Sequence, residues 1–428
     1  MTTQRPSTSQ PPANHGDSVP VAPLKGLRVV EIGQVLAAPL AGMILGDLGA
    51  TVIKVERPGS GDPSRSFGPP FIEGSAYYFH SLNRNKKSVV LDLSQESGRA
   101  VLYSLLSAAD ILIHNHVQPV AESLGIDEPT VRLHAPDISY VQIGAREDGT
   151  TRSLDMLAQA EAGAMAITGW EGQPPVKSQV PIADITTGLY AAVGALAALR
   201  HKYVTGDAGY LAASLFGSTV ASLPFHWGSL IDGGGAHRFG NGHPTIVPYN
   251  TYESADARHV AMAVVTERQW DACCTALELD SACQAPHLST NRGRVAARAV
   301  IDKSIAAAIR RMPAREATER LTAAGVPVTL VQTLGEVFDA GASAFRTLDT
   351  PGGAAVRVPG SPIVSIPPWP RHDAAAPRLG ADSRAVLAEL GYPGDEIDSL
   401  VRAGAVGASD ARPLETDAIK EESGAGHE

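Results

Sequence analysis

The sequence predicts an α/β fold: a doubly wound, mostly parallel, Rossmann-like large domain with a smaller α/β domain attached. Three observations carry the prediction. Short apolar strands alternate with helical patterns between residues 26 and 144, the signature of βαβ units and a buried parallel sheet. The texture then changes near Leu223, where the Gly-rich DGGGAHRFGNGHP precedes a hairpin pattern. Finally, 428 residues at 44% hydrophobic and 19% charged suffice for more than one globular core.

Taken in order, GLRVVEIG reads as a buried strand, APLAGMILGDLG as a helix ending near Gly49, and ATVIKVERP as a second strand. SVVLDL, the helix GRAVLYSLLSAAD, ILIHN, a short helix near VAESLG and DISYVQIG continue the alternation. Two helices follow, LDMLAQAEAGAMAI and TTGLYAAVGALAALRHKYV, joined by the Gly- and Pro-rich AITGWEGQPPVKS with Glu171 at its centre. YNTYESADARHVAMAV reads as a hairpin, ERQWDACCTALE as a helix, AREATERLTAAGVPVTLV as helix then strand, and RAVLAELGY with GDEIDSLVRAG as a helical end. The expected organisation is a disordered tail over 1–22 and a large domain over 23–222. A small domain follows over 223–332, then a return to the large domain over 333–404 and a second disordered tail over 405–428.

The net charge of −10 argues against nucleic-acid binding. Cys273, Cys274 and Cys283 are too few and too clustered for a disulfide framework, and no metal-ligand spacing surrounds them, so a cytoplasmic location and no metal are expected. The N-terminal MTTQRPSTSQPPANHG lacks the apolar stretch of a secretion signal. The longest apolar run, Leu189 to Leu199, is too short to span a bilayer, so no membrane partner is expected.

No GxGxxG follows the first strand, where EIGQVLAAPLAG stands. Ala37 and Ala38 there could admit a ligand to the backbone or merely pack helix on strand. Arg57, Arg65, Arg84, Lys86 and Lys87 cluster near predicted strand ends, as phosphate contacts or as a solvated face. His114 and His116 could form a metal pair but lack a third ligand. His243 is a ligand contact or a turn residue. Asp155 and Asp184 stand where helices start, favoured there by capping and the helix dipole without any catalysis.

With these segments in view, the ordered chain resembles the family III CoA-transferases, which include the α-methylacyl-CoA racemases. The resemblance runs through LKGLRVVEIGQVLAAPLAGMILGDLGATVIKVERPGSGDPSR, LNRNKKSVVLDLSQESGRAVL, PIADITTGLYAAVGALAAL, GNGHPTIVPYNTYESAD and LGADSRAVLAELGY, roughly residues 24 to 404. It implies a large domain built from both chain ends and an interlocked dimer. The substrates would be an acyl-CoA and a carboxylic acid, with coenzyme A bound only as substrate and no permanent cofactor. It further implies CoA contacts at Ala37, Ala38, Arg57, Lys87, Leu91 and Asn115, and a substrate loop holding Gly240, Asn241 and His243.

In the transferases of this family an Asp in TGxxDGPP attacks the thioester. Here the text is TGWEGQPP, so Gly172 holds the Asp position and Glu171, one place earlier, is the candidate nucleophile. The family's ENFRPG reads HNHVQPV, with Val117 at the Arg position, and its GFGQxGP loop reads GAREDGTTR. The racemase branch pairs a His, here Leu154, with an Asp matching Asp184, the second catalytic candidate; leucine cannot transfer a proton. These departures leave two alternatives to transfer by this chain itself: a non-catalytic acyl-CoA-binding partner in a heterodimer with a homologous subunit, and a racemase or epimerase.

Overall fold

The computed structural model describes residues 20–408 apart from positions 232, 234 and 236. Most of both expected tails therefore lies outside the described residues. The large sheet comprises β1 (Arg28–Ile32), β2 (Thr51–Glu56), β3 (Lys86–Leu91), β4 (Ile111–His114), β5 (Ser139–Gly144) and β6 (Tyr210–Ser214). They lie parallel in the order β3-β2-β1-β4-β5-β6, the strand order of dinucleotide-binding folds. The smaller sheet pairs β7 (Tyr249–Glu253), β8 (His259–Ala263) and β9 (Val328–Leu330) antiparallel. A ribbon of β10 (Phe345–Asp349) and β11 (Ala355–Pro359) follows. The last strand, β12 (Val406–Gly407), adds antiparallel to β3. Residues 405–407, expected in the C-terminal tail, thus finish the large sheet: Asp92 N–H donates to Ala405 O at 2.9 Å.

The helices that matter for the site are α1 (Ala37–Asp47), α2 (Tyr77–Leu82), α3 (Glu96–Ser107), α4 (Gln118–Leu124), α5 (Glu128–His134), α6 (Asp155–Glu161), α7 (Ala164–Ile167) and α8 (Ile182–Thr205). Side chains alternate across the sheet because strand periodicity is two. Val30, Ile53, Val55 and Leu112 pack with α3 and α5, whereas Val29, Val52, Ile111 and Ile113 pack with α1 and α8. Each such buried aliphatic side chain contributes roughly 1.5–3 kcal/mol. The smaller sheet has its own core, including Trp270, Cys273, Cys274, Ile301, Ile305 and Leu321. The three cysteines are buried free thiols, and burial pushes the Cys273 and Cys274 thiols up to about 12.

Several elements differ from the sequence reading. The helix expected over 154–167 splits into α6 and α7 at Gly163, whose φ of +84° no helix interior accepts. Strand β6 and helix α5 were not anticipated. The helix expected from Thr186 begins at Ile182 and runs for 24 residues, long and apolar enough to cross a membrane by length and composition. Its alanine-rich face, with Ala191, Ala192 and Ala195, instead packs in the core with α1 and the sheet.

Candidate functional site

The strand order reverses between β1 and β4, and in open α/β sheets a ligand crevice lies outside the carboxyl ends at that point. A cleft of about 290 Å³ is found there. Its walls are Ile32, Gly33 and Gln34 after β1, Arg57 and Pro58 after β2, Leu91 to Ser94 after β3, and His116, Val120 and Leu124 beyond β4. Asn115 fastens the two sides: its Oδ1 accepts from Gln34 N–H at 2.9 Å and its Nδ2 donates to Gln34 O at 2.8 Å. Val35 follows with φ +67°, an unusual conformation for a β-branched residue, and its N–H donates to Asp62 Oδ1 at 3.2 Å.

The expected basic cluster is mostly consumed by the protein itself. Arg65 makes a two-point contact with Glu56 at 2.7 and 2.8 Å, Arg84 pairs with Asp47, and Lys86 with Glu31 at 2.7 Å. Lys87 pairs with Glu389 at 2.7 Å. It sits at the start of β3, four residues and roughly 13 Å of strand from Leu91, so the structure does not bring Lys87 to the cleft. Arg57 is different. It is exposed at the rim, its Nε donates to Gly61 O at 3.2 Å, and no carboxylate pair engages it among the described residues. Ala37 and Ala38 are buried, and a Cβ on Gly33 would lie 2.4 Å from the Ala38 Cβ. Their side chains close helix against strand and do not line the cleft.

Below the cleft lies a charge network that the sequence reading missed. Lys54 Nζ donates to Glu31 Oε1 and Gly33 O, each at 2.8 Å, and forms an ion pair with Asp62 Oδ2 at 2.8 Å. Lys86 Nζ donates to Pro39 O at 2.8 Å and Asn83 Oδ1 at 2.9 Å and forms an ion pair with Glu31 Oε2 at 2.7 Å. Burial alone would lower the Lys54 pKa, but Glu31, Asp62 and Glu56 together hold it above its ordinary value. Gly42 is required beneath: a Cβ there would meet Glu31 Oε2 at 2.1 Å. The available signal was a charge in the middle of each apolar strand, VVEI and VIKV.

The HNH histidines are not a metal pair. His114 Nδ1 accepts from the His116 N–H at 3.3 Å, and its Nε2 meets Tyr140 Oη at 2.6 Å, whose hydroxyl donates to Ile126 O at 2.8 Å. This chain fixes the Nε2–H tautomer of a neutral ring. Burial, reinforced by His116, pushes His114 down to about 3; burial, with Lys54 and Arg152, pushes His116 down to about 4. Among the described residues no cluster of three or more His, Cys, Asp or Glu could hold a metal ion.

Glu171 occupies the corner of a tight turn. Gln173 N–H donates to Trp170 O at 3.2 Å, and Gly172 has φ +76°, the backbone of a type II turn with glycine at its third position. Glu171 is exposed, and its Oε2 accepts from the Arg238 N–H at 3.4 Å. The structure therefore brings Glu171 together with the Gly240–His243 loop. Gly240 N–H donates to Gly169 O at 2.8 Å, Trp170 and Phe239 form an antiparallel bridge, and a Cβ on Gly240 would lie 2.4 Å from Trp170 Nε1. Asn241 Nδ2 donates to Thr251 Oγ1 at 2.7 Å; the His243 ring packs between Phe225 and Tyr249.

Asp184 lies at the start of α8, whose first N–H groups are capped by Asp155: Ala183 N–H donates to Asp155 Oδ1 at 3.0 Å. Burial first, and Asp155 second, push Asp184 up to about 6. The phenol of Tyr78 on α2 is pushed up to about 12 by burial and by Asp184, Asp62 and Asp155. A carboxylate whose folded pKa is raised is most stabilising below its unfolded value and loses that contribution as pH rises through about 6. Asp184→Asn is therefore expected to leave stability unchanged near pH 4 and to raise it by about 1–3 kcal/mol at pH 8. Thermal melts at the two pH values check this; equal shifts at both would contradict it.

The chain matches the CoA-transferase family III over residues 24–383. It is 32% identical over 383 residues to the succinate–glutarate CoA-transferase of Agrobacterium fabrum, covering 86% of this chain and 96% of that one. It is 34% identical over 388 residues to the succinyl-CoA:mesaconate CoA-transferase of Haloarcula hispanica, with the same coverage. The alpha subunit of the succinyl-CoA–L-malate CoA-transferase of Chloroflexus aurantiacus is 30% identical over 420 residues, 91% of each chain. Among solved structures, a CAIB/BAIF family protein from Brucella suis superposes with a TM-score of 0.76 at 31% identity, covering 86% of this chain and all of that one. Fold, strand-end cleft and sequence agree that this chain belongs to the family III CoA-transferases.

Proposed function

We propose that this protein exchanges CoA between an acyl-CoA thioester and a carboxylic acid, using Glu171 as the covalent carboxylate. Membership of the CoA-transferase family over residues 24–383 carries the reading. A Glu171 oxygen attacks the thioester carbonyl carbon; the C–S bond breaks and CoA leaves as thiolate, giving a mixed anhydride. The thiolate then attacks the glutamyl carbonyl, releasing the donor acid as carboxylate and leaving a glutamyl-CoA thioester. The acceptor carboxylate repeats the two steps in reverse. Every nucleophile and leaving group is a carboxylate or a thiolate, so the cycle needs no net proton, and one difficult displacement becomes several easier ones. CoA lies in the strand-end cleft, with Arg57 on its phosphates, Leu91 against its apolar portion and Asn115 holding the crevice open.

The relatives named for succinyl, glutarate and mesaconate exchange support a dicarboxylic acid as one partner, with succinyl-CoA the first donor to try. The buried free thiols fit a reducing cytoplasm. Exposed apolar residues on the Glu171 loop and on α8, including Trp170, Val176, Tyr190 and Val193, fit burial against a second subunit. That subunit is a second copy of this chain or a homologous one; the alpha-subunit relative supports the heteromeric reading.

The test is incubation with succinyl-CoA, quenching with hydroxylamine or borohydride, and peptide mass mapping. An adduct on Glu171 is expected; turnover without one there would remove Glu171 from the reaction. Should the chain bind CoA but exchange it only with a homologous subunit present, the heteromeric reading holds. Arg57→Ala is expected to raise KM for acyl-CoA about 10-fold with little change in kcat, the loss of one charge-assisted phosphate contact. Lys87→Ala should leave KM within about twofold on the same scale. Steady-state kinetics of the two variants separate the rim cation from the surface ion pair.

A further inference from the structure

We infer that His116 is a specificity-determining residue of the cleft: its imidazole accepts a hydrogen bond from the pantetheine arm of CoA, so the ligand lies with its phosphates at Arg57 and its arm crossing β1 towards β4. This rests on the reading of the strand-end cleft as the CoA site and is independent of which carboxylate is acylated. The cleft walls hold several polar side chains, but most are already spent. Glu56 is engaged by Arg65 and Ser88, Asp62 by Lys54 and Ser64, and Asp92 by Ser94 and Gln95. Asn115 is taken up by the Gln34 backbone. Gln34 also faces the cleft, but a carboxamide both donates and accepts and so does not sort ligands by polarity. His116 lines the cleft and does sort them. One of its ring nitrogens makes a backbone hydrogen bond with Ile32. The other has no partner among the described residues and is not sealed inside the protein. Burial, with Lys54 and Arg152, keeps the ring neutral. The proton therefore sits on the nitrogen facing Ile32, and the cleft nitrogen is a bare acceptor.

That acceptor is held in place from several sides. The His116 N–H donates to His114 Nδ1 at 3.3 Å, and the His114 ring is itself fixed by Tyr140. The two imidazoles lie nearly parallel, their planes 16° apart and their centroids 6.3 Å apart. Two residues on, Gln118 N–H donates to Gly149 O at 3.0 Å. A fixed acceptor sorts the parts of CoA by their chemistry. Ionised phosphate oxygens only accept, so they cannot pair with a bare imidazole nitrogen; the Arg57 guanidinium suits them. The donors of CoA are the amides and hydroxyl of the pantetheine arm and the amine of the adenine. The fold decides between them. Arg57 follows β2 and His116 follows β4, with β1 between them, a separation of roughly 10 Å across the sheet. Both candidate carboxylates, Glu171 and Asp184, belong to α8 or to the loop leading into it, and α8 packs against β5 and β6, beyond β4. The thioester end of the ligand must run that way from the phosphates. That course takes the arm, and not the adenine, past His116.

The experiment measures the Kd of CoA, 4′-phosphopantetheine and 3′,5′-ADP by calorimetry in wild type, His116→Phe and His116→Gln. His116→Phe keeps a planar ring, the residue that ENFRPG carries at this place, and removes the acceptor. A donor of the arm is then left unpaired, so CoA and 4′-phosphopantetheine are each expected to bind about 10-fold more weakly, and 3′,5′-ADP within about twofold of wild type. His116→Gln, whose amide oxygen accepts, should recover part of the loss. In steady-state exchange the KM for succinyl-CoA should rise with kcat nearly unchanged, the pattern of a contact made equally in ground and transition states. Wild-type affinity for CoA in His116→Phe would overturn the inference. So would a loss confined to CoA and 3′,5′-ADP, which would put the nucleotide at His116 and reverse the ligand. If His116→Phe does not fold, nitrogen NMR of the ring-labelled wild type decides. The bare nitrogen of His116 should shift with 4′-phosphopantetheine and not with 3′,5′-ADP; no shift, or the reverse, overturns the assignment. A wild type that binds no CoA at all sinks the reading of the cleft itself, a result distinct from tight binding that His116→Phe leaves untouched.

Discussion

Glu171→Gln is expected to reduce CoA exchange at least ~1,000-fold while CoA still binds. The amide keeps the size of the carboxylate and its acceptor oxygen toward the Arg238 N–H, but it is neither a competent nucleophile nor a leaving group, and covalent catalysis needs both. Since the exposed turn makes no core contact, stability should change by less than about 0.5 kcal/mol, as for a surface substitution. Glu171→Asp keeps the chemistry but withdraws the oxygens by one methylene, so a loss of about 100-fold is expected. An exchange assay between succinyl-CoA and glutarate, with peptide mapping of the trapped adduct, measures both. Unchanged exchange by Glu171→Gln would place the covalent carboxylate elsewhere, with Asp184 the next residue to map.

The largest stability effect is expected at Lys54. Lys54→Met leaves Glu31 short of one partner and Asp62 without its cation, both fully buried. Removing one member of a buried ion network costs about 3–5 kcal/mol, because the remaining charges stay desolvated. Melting should fall by roughly 6–20 °C at neutral pH. Lys54→Met with Asp62→Asn should recover part of the loss, because an amide leaves no uncompensated charge. The pH dependence has a defined sign. Burial would raise the carboxyls of Asp62 and Glu56, but Lys54 holds Asp62, and Arg65 with Lys54 holds Glu56, below their ordinary values of 3.8 and 4.5. A depressed carboxyl contributes fully above its unfolded pKa and loses the contribution as pH falls through the folded value. Acid should therefore narrow the gap between wild type and Lys54→Met below about pH 4. Differential scanning calorimetry across pH 3–8 checks it; a constant gap would show that the network is electrostatically idle.

Much of the fold was legible because burial writes a period into the chain. GLRVVEIG and ILIHN are short and apolar on both faces, and such runs belong to parallel strands covered on two sides. What escaped was whatever lacks that period. β6 reads YLAAS and is only partly buried at the sheet edge, so its composition carries little signal. Residues 405–407 sit in a polar, Gly-rich stretch and become a strand only because β3 offers an open edge. The candidate site was legible in part for a similar reason. Glu171 stands out in a Gly/Pro loop, and Arg57 follows a strand, which suggests a rim position. Lys87 looked equivalent to Arg57, yet the two sit at opposite ends of neighbouring parallel strands, a matter of register that sequence spacing does not encode. Arg238 was invisible because its partners lie some seventy residues away, and no local pattern announces a contact between two irregular loops.

The short strand β12 also bears on how the molecule is made. The smaller sheet is local, its three strands falling between residues 249 and 330, so it can close while the ribosome is still extending the chain. The large sheet cannot. Its β3 edge, whose Val90 and Leu91 pair with residues 406 and 407, stays open until those two residues, more than three hundred positions later, have emerged. An open, apolar strand edge is a template for pairing with the wrong chain. Translation stalled before β12 would thus release a species holding a finished smaller sheet and an unguarded large one, the form on which a chaperone would be most needed.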